Sequence, residues 1–242
     1  MRPYLMALLI PLAACGNFGG DRDDGRPGVA GTGSGNTRSY PVADFTTVSL
    51  RGPDDVDVRV GSAFSVRAEG DENDLAKLRI ERVGDELRVG RVRGISWGGG
   101  KGVKVYVTMP RITAAELAGA GDFTIDRVEG PQFRGEIAGS GDLAVAALQT
   151  ASAKFSIAGS GSIKAAGRAD ALDIDIAGAG SIEAGELTAS KASVSIAGSG
   201  DVAAKVNGPA KIDIVGSGDV DLGPGAKCST TKMGSGNVRC GG

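Results

Sequence analysis

A Gly-Ser/Ala-Gly triplet recurs seven times in the second half of the chain, beginning at Gly119, Gly139, Gly159, Gly178, Gly198, Gly216 and Gly234, in steps of 20, 20, 19, 20, 18 and 18 residues. A fixed period of this size marks a solenoid, in which each repeat buries its apolar side only against the next copy. Apolar residues hold the same phase. Leu117, Ile137, Ile157, Ile176, Ile196 and Ile214 stand two places before a triplet; Phe123, Leu143, Ile163, Ile182, Val202, Val220 and Val238 stand four after its start. Before Gly178, Leu172, Ile174 and Ile176 alternate with Asp173 and Asp175, which is the period of a strand with one buried face.

The predicted fold is therefore all-β: a parallel β-helix-like solenoid with two-sheet rungs of 18–20 residues, each folded across its triplet. The paired turn glycines are Gly119 and Gly121, Gly139 and Gly141, Gly159 and Gly161, Gly178 and Gly180, Gly198 and Gly200, Gly216 and Gly218, and Gly234 and Gly236. Such a reversal demands positive φ, which glycine adopts without steric cost. Small inward residues, Ala165, Ala184 and Ala204, imply a thin core. In the last rung Lys232 replaces the expected aliphatic residue, which suits a polar end cap. Cys228 and Cys240 fall at inward positions across that rung, and a disulfide between them would pin the fraying end.

Residues 40–113 are less regular than the repeats of 114–242. Val56, Val58 and Val60, Leu87 and Val89, and Val103, Val105 and Val107 alternate with polar residues as half-buried strands do, and Glu72 to Lys77 could form one helical turn. Whether this part makes early rungs or a separate cap is open at the level of sequence.

With the triplets stand Phe45-Thr46-Thr47-Val48, Val56-Asp57-Val58, Asn73-Asp74-Leu75 and Asp85-Glu86-Leu87. In that order the chain resembles the bacterial auto-transporter adhesin head GIN domain family over most of its length. The resemblance implies a right-handed two-sheet β-helix, export, and adhesion without established chemistry; the hand agrees with the preference of parallel crossovers. Triplets with Ala120 or Ala179 in the middle depart from the common serine, so the hydroxyl is not indispensable.

The amino terminus reads as a lipoprotein signal peptide over residues 1–14, with an apolar block too short to span a bilayer. Leu12-Ala13-Ala14-Cys15 resembles a lipobox, implying lipid attachment at Cys15, a membrane partner reached through that lipid, and, with Gly16 next, the outer membrane. Residues 15–39 read as a lipidated flexible tether; residues 40–242 form a single domain. An exported chain sits where disulfides persist.

Charge is balanced, 27 Lys+Arg against 29 Asp+Glu, so nucleic acid, whose binding rests on a cationic field, is not an expected partner. No histidine is present, which removes the usual proton shuttle and the commonest transition-metal ligand.

Three constellations could carry chemistry. Asp122, Asp142, Ser162, Ser181, Asp201, Asp219 and Asn237 follow the triplets and could ladder oxygens for calcium; capping of nearby backbone is preferred, because all three residue types do that in turns. Glu116, Glu136, Asp175 and Asp213 form an outward carboxylate column, as sugar cleavage would need, but Arg134 and Lys211 sit two residues away and compensate. Trp97, in a glycine-rich loop, could anchor a ligand or cover an open end of the core. The expectation is a non-catalytic envelope lipoprotein acting as an adhesin-like scaffold for an extracellular glycan or protein ligand, without cofactor or metal. A structural envelope role, or a carbohydrate-active enzyme, are the alternatives.

Overall fold

The computed structural model describes residues 28–92 and 102–241. The first half runs β1 (Thr37–Tyr40), β2 (Thr47–Gly52), β3 (Asp55–Val60), β4 (Ser65–Glu69), α1 (Glu72–Leu75), β5 (Leu78–Val83), β6 (Glu86–Arg91) and β7 (Lys104–Met109). There follow β8 (Ala114–Gly119), β9 (Asp122–Ile125), β10 (Val128–Gly139), β11 (Asp142–Gly159), β12 (Ser162–Gly178) and β13 (Ser181–Gly198). The chain closes with β14 (Asp201–Val206), β15 (Gly208–Gly216), β16 (Val220–Asp221), β17 (Ala226–Gly234) and β18 (Val238–Arg239).

From β8 onward successive coils pair in parallel, residue over equivalent residue. Ile137 aligns with Leu117 on one side and Ile157 on the other, and the column continues through Ile176, Ile196 and Ile214. The second inward column runs Phe123, Leu143, Ile163, Ile182, Val202, Val220 and Val238. All of these except Val238 are buried, so the sequence period is a spatial one. Inward positions also alternate in size. Gly135 lies in register with Phe155, where a methyl group would come 3.1 Å from the ring, and Phe133 and Phe155 meet edge to face at 6.3 Å. Towards the carboxyl end Ala165, Ala184 and Ala204 line the core, which is correspondingly thin.

The far corner is more elaborate than a two-strand rung. Past Val145 the register slips, and residues 148–150 of β11 pair with 167–169 of β12 before the chain bends into the next long run. Each long strand thus serves both sheets and a short third face, so all the strands join in one sheet.

The amino-terminal half is both rung and cap. β2 stacks on β8 with Leu50 over Leu117 and Gly52 over Gly119, and β3 stacks on β9 with Val56 over Phe123. The next coil outward is made by β6 and β7, which lie parallel to β2 and β3 yet come later in the chain. The spatial order of coils therefore differs from chain order. Antiparallel strands finish that end: β5 against β6 across a turn at Gly84 (φ +63°), β4 against β7, and β1 against β4. The tether expected to run through residue 39 is docked earlier. Val29 N–H donates to the Ile80 carbonyl at 2.7 Å, Thr32 bridges Ser39, and Thr37–Tyr40 is a strand; Tyr40 and Val42 join the core.

Among the described residues the opposite end carries no such cover. Thr230 and Lys232 take the register positions of Ile212 and Ile214, and both are exposed. Lys232 Nζ donates to the Gly236 carbonyl at 2.6 Å, satisfying part of the edge.

Candidate functional site

Only the first glycine of each triplet has positive φ, from +132° at Gly178 to +148° at Gly119. Its carbonyl accepts from the next coil's turn: Ser160 N–H at 2.9 Å and Gly161 N–H at 3.2 Å both donate to Gly139 O. The third glycine answers a different demand, close approach. At Gly180 a Cβ would lie 2.6 Å from both the Gly161 carbonyl oxygen and Ile157 Cγ2. The glycine ridge is thus backbone packed on backbone.

Beside it, the turn aspartates bond to the coil that follows. Asp142 Oδ1 accepts from Ser162 N–H at 3.1 Å and its hydroxyl at 2.7 Å; Asp201 Oδ1 accepts from Asp219 N–H at 3.0 Å; Asp219 Oδ1 accepts from Asn237 N–H at 2.7 Å. Asp55 does the same for Asp122 at 3.0 Å. The ladder's oxygens cap amides, which is the turn chemistry expected of these residues. Among the described residues no group of three or more acidic, cysteine or histidine side chains is placed to hold a metal ion.

The outward carboxylate column is present, with Glu116 beside Glu136, and Asp175 and Asp213 further along. Most of it is compensated. Arg134 reaches Glu136 at 3.3 Å, Lys211 reaches Asp213 at 2.7 Å, and Lys154 bridges Asp173 and Asp175 at 3.2 and 2.6 Å. The Lys211 hydrogen bond holds Asp213 below the usual carboxylate range. Glu116 is the exception. Burial, then the negative charges of Glu86 and Glu136, push its carboxyl up, against Arg51 and Arg134. Asp122 is also raised, first by burial and then by Asp55 and Asp142.

Sequence reading missed an eighth turn. Gly52-Pro53-Asp54 stacks on the Gly119 triplet, with Ala120 N–H donating to Gly52 O at 3.2 Å. Asp54 occupies the place of the third glycine and is fully buried, bonded to Arg91 and to the Val103 amide. The signal was the isolated glycine at residue 52 between two alternating runs, hidden by Pro53 and Asp54. Cys228 and Cys240 are disulfide-bonded across the last coil, with Cα atoms 6.2 Å apart. Cys15 and Trp97 lie outside the described residues.

A parallel β-solenoid, closed at one end by antiparallel strands and faced by charges that largely satisfy one another, defines a rod-like scaffold with extended outer surfaces. The chain belongs to the family described as "Putative auto-transporter adhesin, head GIN domain", which matches residues 44–224. Among solved structures it is similar to a putative adhesin from Bacteroides fragilis NCTC 9343, with 21% identity, 86% of this chain and 98% of that chain covered, and a TM-score of 0.77. A putative lipid binding protein from Parabacteroides distasonis ATCC 8503 is 23% identical over 87% of this chain and 98% of that one, with a TM-score of 0.70. A putative adhesin from Parabacteroides merdae ATCC 43184 is 21% identical over 89% and 99%, with a TM-score of 0.63. At these identities the likeness concerns the fold. No curated protein matches the chain significantly.

Proposed function

We propose that the protein is a non-catalytic, adhesin-like binding scaffold of the cell envelope, exported and held to the outer membrane by lipid on Cys15. The observation that carries this reading is how the repeated outward charges are used: Glu136, Asp175 and Asp213 close ion pairs along the strands, and Asp142 and Asp201 cap amides between coils. Groups so engaged recognise shape and charge, whereas acid-base catalysis needs a carboxyl free to exchange its proton with a reacting atom. Membership of an adhesin-like family supports the same reading. A rod with repeating faces binds through many weak contacts, whose combined strength exceeds that of each.

The test is topological and chemical. Protease added to intact cells should degrade the chain, and metabolic labelling with a fatty acid should mark it in the native form but not after Cys15→Ala. A chain that resists protease until the outer membrane is opened would refute outward adhesion, and unchanged labelling of the variant would refute the anchor.

A further inference from the structure

Oppositely charged residues two apart on one strand point to the same side, and on this rod they close on each other. Arg59 meets Asp57 at 3.3 Å, Arg79 meets Glu81 at 2.6 Å, Arg88 meets Glu86 at 2.9 Å, Arg134 meets Glu136 at 3.3 Å and Lys211 meets Asp213 at 2.7 Å; Arg67 and Glu69 also pair. Arg168 and Asp170, on β12 with buried Ala169 between them, make the one such couple among the described strands that stays open. Both side chains are exposed. Glu129 and Gln149 align in register with Arg168 on the two preceding coils, about 4.8 Å apart per step, and among the described residues they too carry no side-chain hydrogen bond or ion pair.

These four unengaged groups line one depression on the short third face, of about 480 Å³, within the size of small-ligand sites. Its floor is low because Gly130 and Ala151 present almost no side chain, and a methyl group built on Gly130 would meet nothing closer than Arg111 Cδ at 4.0 Å. The Thr150 hydroxyl is turned away, donating to the Ser152 carbonyl at 3.1 Å.

We infer that this depression is a binding site for neutral sugar residues of a glycan; the inference rests on the adhesin reading and names the ligand class and place within it. The chemistry selects by elimination. A bare phosphate or sulfate would face the carboxylates of Glu129 and Asp170, a divalent cation would face the Arg168 guanidinium, and an apolar group would strand all four polar side chains. Sugar hydroxyls both donate and accept. Neighbouring hydroxyls match the planar fork of Arg168 as acceptors, the two carboxylates as donors, and the Gln149 amide as either.

The experiment probes printed arrays of neutral hexose and N-acetylhexosamine oligosaccharides, with sulfated and uronic-acid oligosaccharides and immobilised matrix proteins alongside, using the labelled full chain. Binding to a neutral oligosaccharide is expected, at least tenfold weaker for Arg168→Ala and for Ala151→Trp, which fills the floor, and unchanged for Lys227→Ala, exposed on the last coil. Arg168 is exposed and unpaired, so its variant folds as the native chain does, which the thermal midpoint checks. Binding confined to acidic glycans overturns the ligand class, and neutral-glycan binding that survives Arg168→Ala overturns the site. Capture of matrix protein alone overturns this inference and leaves the adhesin reading standing.

Discussion

The Asp54 carboxylate accepts two hydrogen bonds from the Arg91 guanidinium, at 2.5 and 2.7 Å, in a place where the repeats above it have glycine. A third comes from Val103 N–H at 2.9 Å, and Asp74 stands 3.6 Å from Arg91 on its other side. Fully buried carboxylates survive only with such partners. Asp54→Ala should cost about 3 kcal/mol, because it removes both hydrogen bonds to a guanidinium left with Asp74 alone and strands the Val103 amide. Chemical denaturation would show this as a lower midpoint, and Arg91→Met in the same chain should recover part of the loss.

A triplet glycine and an isolated one should respond oppositely to alanine. At Gly159 φ is +139° and a Cβ would overlap the Gly139 carbonyl, whereas at Gly185 nothing lies within 4 Å and φ is unexceptional. Gly159→Ala should destabilise by more than about 2 kcal/mol, and Gly185→Ala should be neutral or stabilise by about 0.5 kcal/mol through the unfolded chain. Thermal melts of the two variants side by side decide it.

The difference between those glycines was half legible. Gly159 belongs to a triplet whose period shows directly in the sequence, and Ile157, Ile176 and Ile196 lie over one another as that period requires. The coil order at the amino end was not legible, because β2 lies between β6 and β8 through pairings of residues far apart in the chain. Alternation of Val56 and Val58 marks a strand but not its neighbour. The open couple of Arg168 and Asp170 was equally hidden, since its spacing matches that of Arg134 and Glu136, which do pair.

The Cys228–Cys240 bond, spanning 12 residues, closes the last coil, on which no described strand stacks. Loop-closure entropy puts its contribution at about 3 kcal/mol. Because coils interact only with their neighbours, Cys228→Ser with Cys240→Ser should raise amide exchange in β17 and β18 while leaving β8 and β9 protected. Hydrogen exchange resolved by segment would reveal a uniform loss if the stack melted as a unit.

Calcium should leave the rod unmoved. Asp142, Asp201 and Asp219 each commit an oxygen to the next coil's backbone, so the thermal midpoint should be the same in calcium chloride and in chelator. Asp142→Ala should lower it in both by the loss of one N-H acceptor, about 1 kcal/mol. A midpoint that climbs with calcium, and stops climbing in the variant, would return the ladder to the status of an ion site.

Glu116 gives the pH dependence its sign. Its folded-state carboxyl is raised above the ordinary value of 4.5 by burial and then by the charges of Glu86 and Glu136. Between that value and the raised one the native chain holds a proton that the unfolded chain has released, so stability falls as pH climbs through the interval. Above it the charged form is a standing penalty, which Glu116→Gln removes. The variant should therefore melt higher than the native chain at neutral pH, and the gap should close below about pH 4.5, where both states of Glu116 are protonated. Glu116 is only half-buried, so the effect on the midpoint is modest. A Glu116→Gln chain that melts lower than the native one at pH 7 would mean that the carboxylate is held by a favourable partner, and that the crowding of like charges between β6, β8 and β10 is relieved in solution.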